Sequence, residues 1–251
     1  MSALAGKLAK ARADARTLDL GDGTGQVGSV AEAYRVQDAL AASAGAVRAW
    51  KVSALTPEQQ RGYPTDRPVA GALFAPFVHE TPARIVLKSF VVPLLECEIA
   101  FLLGRDLPQR ETPYTRAEIA DAVEAIVPAI EIADCRWPAT APDLLKLADD
   151  MGNGAFITTM PVRDWRNVDL KGREVVLTLD GAEVARGPCA KVLGDPLMGV
   201  VGLANAQPLP AGGLKRGQVV TTGTCITPIA MKTGQYVADF GALGRVEMAV
   251  D

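Results

Sequence analysis

Three glutamates carry the first chemical signal in this chain. Glu96 and Glu98 sit in Pro93-Leu-Leu-Glu96-Cys97-Glu98-Ile-Ala-Phe-Leu-Leu103, and Glu131 sits in Pro128-Ala-Ile-Glu131-Ile-Ala-Asp134. Both segments are short apolar runs of the kind that form buried strands. Residues i and i+2 of a strand share a face, so Glu96 and Glu98 point the same way, roughly 7 Å apart along the backbone. A buried carboxylate without compensation costs several kcal/mol, and two on one face repel each other. A hard divalent cation removes both penalties. Three carboxylates, with the remaining positions left to water or substrate oxygens, suit Mg²⁺ or Mn²⁺. Glu-x-Glu also occurs on exposed strand faces; here the apolar flanks and the second strand Ala129–Ala133 favour the metal.

Other residue types narrow the chemistry. His79 is the only histidine, which argues against a histidine-built zinc site and leaves one residue for any Ser-His-Asp or Cys-His arrangement. Its setting between Val78 and Glu80 reads as a loop. Cys97, Cys135, Cys189 and Cys225 form no CxxC pair and read as reduced thiols of a cytoplasmic protein. Cys97, between two glutamates, is expected on the opposite sheet face, in packing. Lys51 lies in Ala49-Trp-Lys-Val-Ser53, a short strand, where a lysine is either solvent-exposed or functional.

A length of 251 residues, 49% hydrophobic and 22% charged, suits one large soluble domain or one domain with a small extension. A net charge of −3 provides no field for nucleic acid. No run of eighteen apolar residues predicts a membrane span, and Met1–Lys10 lacks the apolar core of a secretory signal.

The elements that must position these groups follow from periodicity and punctuation. Residues 2–18 read as a helix, broken by Gly21-Asp-Gly-Thr-Gly25. Ser29-Val-Ala-Glu32 is a capping box opening a helix to about Ala42. Residues 1–48 are therefore expected to be a helical cap on a mixed-β unit spanning 49–251. The prolines and glycines of 54–72 predict a long loop. Ile85–Leu87 and Phe90–Val92 read as strands, Thr115-Arg-Ala-Glu118 opens a helix to about Ile126, and Pro128 starts the second glutamate strand. Residues 140–150 look helical, and Gly152-Asn-Gly154 reads as a loop before a strand over 155–159. Asp180-Gly181 marks a hairpin between 175–180 and 183–186. Asp195 is expected to cap a helix with Pro196 at its first position, running to about Ala206. Gly217–Thr224 and two segments around Gly241 and Gly244 complete the strands. Many strands with few crossover helices predict an α+β domain whose mixed sheet folds on itself.

In this order the pieces resemble the fumarylacetoacetate hydrolase superfamily, within it the branch of 2-keto-4-pentenoate hydratases and 4-oxalocrotonate decarboxylases. The matching features are Ala33-Tyr-Arg-Val-Gln37, Trp50-Lys51-Val52, Glu96-x-Glu98-Ile-Ala-Phe, Pro128-Ala-Ile-Glu131-Ile-Ala-Asp134-x-Arg136, Leu193-Gly-Asp-Pro-Leu197, Leu203-Ala-Asn205 and Leu214-Lys-x-Gly-x-Val-Val-x-Thr-Gly223. The resemblance implies a mixed β-sandwich or roll with flanking helices, Mg²⁺ or Mn²⁺ on Glu96, Glu98 and Glu131, and Lys51 as an active-site lysine. It further implies substrate contacts from Leu73, Asn153, Gly223 and Thr224, and a homo-oligomer built from dimers. The hydrolase branches carry a catalytic histidine near the cap and an Asn-Asp-x-Thr-x-Arg-Asp signature; neither is present. Three departures fall where substrate should lie. Val69 replaces the acid found eighteen positions after the lysine, Ser53-Ala-Leu-Thr56 replaces Gly-Leu-Thr-Ser, and Ala148-Asp-Asp-Met-Gly-Asn-Gly154 replaces Ala-Asp-Asn-Ala-Ser-Ser-Gly.

The chemistry implied is that of a small 2-oxo acid or its dienol, chelated through its carboxylate and C2 oxygen. Hydration of 2-hydroxypenta-2,4-dienoate is the leading expectation. Decarboxylation of a 4-oxalocrotonate-type acid is the alternative, and a non-catalytic 2-oxo acid-binding homologue is the third reading. Lys51 would orient the substrate carboxylate, or shuttle a proton were its pKa depressed for want of a carboxylate of its own.

Overall fold

The core of the molecule is set by strand alternation around the two glutamate segments. In the computed structural model, which describes residues 3–23, 25–191 and 193–251, these segments become β5 (Leu94–Leu103) and β6 (Val123–Ala133). The other strands are β1 (Val47–Ser53), β2 (Val69–Phe74), β3 (Val78–Glu80), β4 (Ala83–Ile85), β7 (Asn153–Thr158), β8 (Glu174–Leu179), β9 (Ala182–Pro188), β10 (Val219–Thr224), β11 (Ile229–Ala230), β12 (Gly234–Asp239) and β13 (Arg245–Val250). The helices are α1 (Ala3–Ala13), α2 (Val30–Ala44), α3 (Pro57–Gln60), α4 (Arg116–Ala122), α5 (Asp143–Ala148) and α6 (Leu197–Asn205).

One mixed sheet runs β2-β1-β10-β5-β6-β7-β3, with β11 paired to β5; a second runs β4-β13-β12-β8-β9. One side chain in two along β5, namely Leu95, Cys97, Ile99, Phe101 and Leu103, is fully buried in the main apolar core. That core also takes Val246, Met248 and Tyr236 from the second sheet and Leu4 and Leu8 from α1. Burial of each large apolar side chain contributes about 1.5–3 kcal/mol. Cys97 therefore lies on the packing face, as its parity requires. The other parity of β5 gives Glu96, Glu98, Ala100 and Leu102 a common face, and the antiparallel register sets Glu96 opposite Glu131, Glu98 opposite Ala129 and Ala100 opposite Val127.

The α+β expectation and the sandwich of mixed sheets hold. The Thr115 capping box forms in full, Thr115 accepting from the Glu118 amide while Glu118 Oε2 accepts from the Thr115 amide; at Ser29 only half forms, for Ser29 accepts from the Glu32 amide but Glu32 Oε2 accepts from the Gly28 amide instead of that of Ser29. Asp195 Oδ1 accepts from the Leu197 N–H, but the helix starts at Leu197 with Pro196 as its N-cap residue, one position later than expected. The Asp180-Gly181 turn has positive φ at both residues and joins β8 to β9.

Several boundaries differ. The 2–18 helix ends at Ala13, where Ala15 turns to φ 46°; Ser2, like Thr24 of the glycine-rich break, lies outside the described residues. The 54–72 loop contains α3 and gives way to β2 at Val69, because Val69–Phe74 pairs along β1 despite Gly71. Phe90–Val92 is not a strand; the amides of Val91 and Val92 are instead taken up by the Asp134 carboxylate. The helix begun at Thr115 stops at Ala122, since Val-Glu-Ala-Ile-Val already pairs with β5, and β6 starts five residues before Pro128. Pro128 is tolerated inside the strand because its carbonyl still accepts from Thr159 while its missing N–H asks for no partner. Gly152–Gly154 is not all loop, for β7 begins at Asn153 beside Ala133. His79 is in β3, paired with β7, rather than in a loop.

Candidate metal and substrate site

The register places the three glutamates together. Glu96, Glu98 and Glu131 each offer a carboxylate oxygen within 4.8 Å of the others. Glu131 is fully buried, Glu98 nearly so, and the Glu96 side chain is 16% exposed. Burial, then repulsion from Glu131 and Glu96, pushes the Glu98 carboxyl up to about 8. Burial likewise raises Glu131, against the pull of Lys51. Among the described residues Glu131 Oε2 has no hydrogen-bond partner. An all-oxygen donor set with an orphaned buried oxygen and a strained carboxylate pair fits a hard divalent cation.

Each carboxylate is held by its surroundings. Glu98 Oε2 accepts from the amides of Thr222 and Gly223 at 3.1 and 3.0 Å. Both amides reach it because the β10–β5 register shifts between Thr221 and Thr224, with Gly223 at φ +103°, a conformation that favours glycine. Asn153 Nδ2 donates to Glu131 Oε1 at 3.3 Å. The Asn153 carbonyl is itself fixed by Arg12 Nη2 at 2.7 Å and Arg136 Nη1 at 2.6 Å. Arg136 is buried and pairs with Asp149. The Asp134-x-Arg136 motif thus acts behind the carboxylates rather than among them.

Lys51 comes from β1 onto the same face. Its Nζ lies 2.8 Å from Glu131 Oε1 and 3.3 Å from Glu96 Oε2. Burial works against the Lys51 charge, but Glu131, Glu96 and Glu98 outweigh it and hold the ammonium above the ordinary lysine range. The condition for a depressed pKa, a lysine with no carboxylate of its own, is not met.

A cavity of about 370 Å³ opens beside this group, bordered by Lys51, Glu96, Glu98, Gly223, Thr224 and the 52–59 segment. Gly223 and Thr224 therefore meet the expected place, and Asn153 sits directly behind Glu131. Leu73 does not border the cavity: it is fully buried on the same sheet face among Ala49, Ala100 and Phe156. Val69 packs into the main core, so its position supplies no carboxylate to the cavity. Sequence reasoning missed Arg12, Thr222 and Lys191. Arg12 and Lys191 belong to segments far from the glutamates in sequence and no pattern marks them; Thr222 lies in the Thr-Gly223 motif, but it acts through its amide, which a side-chain pattern does not reveal.

A family model described as fumarylacetoacetate (FAA) hydrolase C-terminal matches residues 44–251, and the chain belongs to that family. A 2-keto-4-pentenoate hydratase of Burkholderia vietnamiensis is 30% identical over 254 residues, covering 98% of this chain and 95% of its own length. A 2-keto-4-pentenoate hydratase of Paraburkholderia phymatum is 30% identical over 227 residues, covering 87% and 85%. Among solved structures, 4-oxalocrotonate decarboxylase from Pseudomonas putida, complexed with magnesium and adipate, matches with a TM-score of 0.84 at 22% identity, over 99% of this chain and 96% of that one.

Proposed function

We propose that this protein is a Mg²⁺- or Mn²⁺-dependent lyase, a hydratase of 2-hydroxypenta-2,4-dienoate-type 2-oxo acids. The observation that carries this reading is the convergence of Glu96, Glu98 and Glu131 with Lys51 at one cavity, in a chain similar to such hydratases over nearly its whole length. In this reading residues 1–48 cap a catalytic unit over 49–251. Four free cysteines and a net charge of −3 support a cytoplasmic enzyme without a nucleic-acid partner, and the family resemblance supports a homo-oligomer. Among the described residues no helix is long and apolar enough to cross a membrane.

Glu96, Glu98 and Glu131 would hold the cation, which would supply Lewis-acid stabilisation of charge developing on a 2-oxo acid, worth several kcal/mol. The chain's own residues do the rest. Asn153 keeps the Glu131 carboxylate aimed, and the Thr222 and Gly223 amides do the same for Glu98. Lys51 carries a proton at Nζ beside the substrate's place and, as an ammonium, attracts its carboxylate. Held as an ammonium above the ordinary lysine range, Lys51 serves to orient the substrate carboxylate rather than to shuttle a proton. Leu55 and Val52 provide apolar wall that limits water on one side.

Decarboxylation of a 4-oxalocrotonate-type acid is the second reading. It is favoured by Val69, because the cavity receives no carboxylate from that position to handle water. Turnover of 2-hydroxypenta-2,4-dienoate and CO₂ release from 2-oxo-3-hexenedioate, each with Mg²⁺ and Mn²⁺, separate the two. Lys51→Met should lower the better activity by about a hundredfold or more, because it removes the charge that places the substrate carboxylate. Lys51→Arg should not restore it, because the planar guanidinium cannot take the compact ammonium's place between Glu131 and Glu96. Retention of most activity in Lys51→Met removes Lys51 from the mechanism. Absence of both activities with metal-dependent oxalate binding intact favours the non-catalytic homologue.

A further inference from the structure

We propose that Lys191 is a specificity-determining residue that binds a second acidic group of the substrate, so that the cavity selects 2-oxo diacids over monoacids of equal length. This rests on the reading of the cavity as a 2-oxo acid site, and within that reading it points to a substrate of this type that carries a distal carboxylate rather than to the monoacid 2-hydroxypenta-2,4-dienoate itself.

The cavity lining carries four charged side chains: Glu96, Glu98, Lys51 and Lys191. In that reading Glu96 and Glu98 serve a cation. Lys51 is neutralised by Glu131 and Glu96 at ion-pair distance. Lys191 forms no ion pair with a carboxylate among the described residues; its Nζ donates to the carbonyl of Ile226 at 2.8 Å. An ammonium has three donors, so at least one remains for a ligand. Around it the lining is neutral, from Ser53, Leu55, Thr56, Gln59 and Leu193. A substrate whose first carboxylate and 2-oxo group occupy the glutamate end thus meets one further cation, and that cation is Lys191.

The backbone around Lys191 is built to hold it there. Gly187 at the end of β9 lies so close to the Cys225 carbonyl that a Cβ would sit 2.0 Å from its oxygen. This approach presses the 187–191 segment against the 225–226 segment. Buried Cys189 follows, its carbonyl 3.7 Å from Cys225 Sγ and its amide donating to Arg173. The Lys191 amide donates back to Pro188 at 3.1 Å. The Ile226 carbonyl that receives Nζ is positioned in turn, for Cys225 N donates to Cys97 O on β5, between the two glutamates. Lys191 is exposed enough to meet a ligand and anchored enough to present a fixed charge. The 52–59 wall opposite is ordered by Gln59, whose Oε1 accepts from the Leu55 and Thr56 amides. A ligand held between the two walls pays little to order either of them.

The test is calorimetric binding, in Mg²⁺, of 2-oxohexanoate and 2-oxohexanedioate, which differ only in the distal carboxylate. The wild-type protein should bind the diacid about tenfold tighter, the size expected of one added charge-assisted contact. Lys191→Met should erase that preference and leave the monoacid affinity unchanged, whereas Lys191→Arg should keep it. A wild-type protein without preference, a preference that survives in Lys191→Met, or an equal loss for both ligands overturns the assignment of Lys191. Binding of neither ligand by the wild-type protein overturns the reading of the cavity, and Lys191 with it.

Discussion

One face of the large sheet has two ends of opposite character. Along β5 the sequence of that face is Glu96, Glu98, Ala100, Leu102, and along β6, read the other way, it is Glu131, Ala129, Val127. At one end the strands aim three acids at a common point. From two residues further on, the same strands bury Ala100, Val127 and Ala129 with Leu73 and Phe156 in a small apolar cluster of their own. The apolar end contributes stability through packing. The acidic end opposes stability until a cation is bound, since burial and mutual repulsion disfavour its charges. Strand register links them: the packing that fixes one end fixes the spacing of the other.

The largest effects should come from exchanging roles between these ends. Leu73→Ala should lower unfolding free energy by about 2–5 kcal/mol in denaturant titrations and leave Mg²⁺ affinity unchanged. Glu131→Gln should do the reverse, abolishing tight Mg²⁺ binding by calorimetry while the melting temperature stays level or rises. Parallel behaviour of the two variants would show that the ends are not separable.

The pH dependence is the next most sensitive probe. Glu98 holds its proton up to about 8, so below that value a cation must displace a proton from it. Mg²⁺ affinity should rise with pH by about tenfold per unit up to that point and flatten above it. A flat profile between about pH 6 and 8 would mean that Glu98 is already ionised without the metal.

A smaller effect is expected at Asn153, which touches Glu131 but is not itself a carboxylate. Asn153→Ala should weaken Mg²⁺ binding by about tenfold, the lower end for a group that orients a metal ligand. An unchanged affinity would show that strand register alone is enough to aim Glu131.

The acidic end was legible in the sequence because strand parity is a local rule: Glu96 and Glu98 must share a face, and Cys97 must oppose them. Lys51 was legible only through resemblance, since a lysine in a short strand has no parity signal of its own. Leu73 was misplaced for the complementary reason. Its face is right, opposite Ala49, but its depth along the strand puts it in the apolar cluster rather than at the cavity. Depth is set by inter-strand register, which single-strand patterns do not encode. The start of β6 was missed because Val123–Val127 follows a helix without a breaker, leaving Pro128 as the visible punctuation. The amides of Thr222 and Gly223 and the hold of Arg12 and Arg136 on Asn153 arise from tertiary approach and had no local trace.

The position of the carboxylates on central strands has a further consequence for which changes of chain length the protein can absorb. Insertion or deletion of one residue in β5 or β6 inverts every side chain beyond it and scatters the chelating oxygens. The residues that border the rest of the cavity, in 54–59 and at Lys191 and Leu193, lie between strands, where the chain can lengthen or shorten without turning any strand over. Substrate scope is thus free to diverge by loop remodelling, whereas the ion-binding end tolerates replacement of side chains but not a shift of frame.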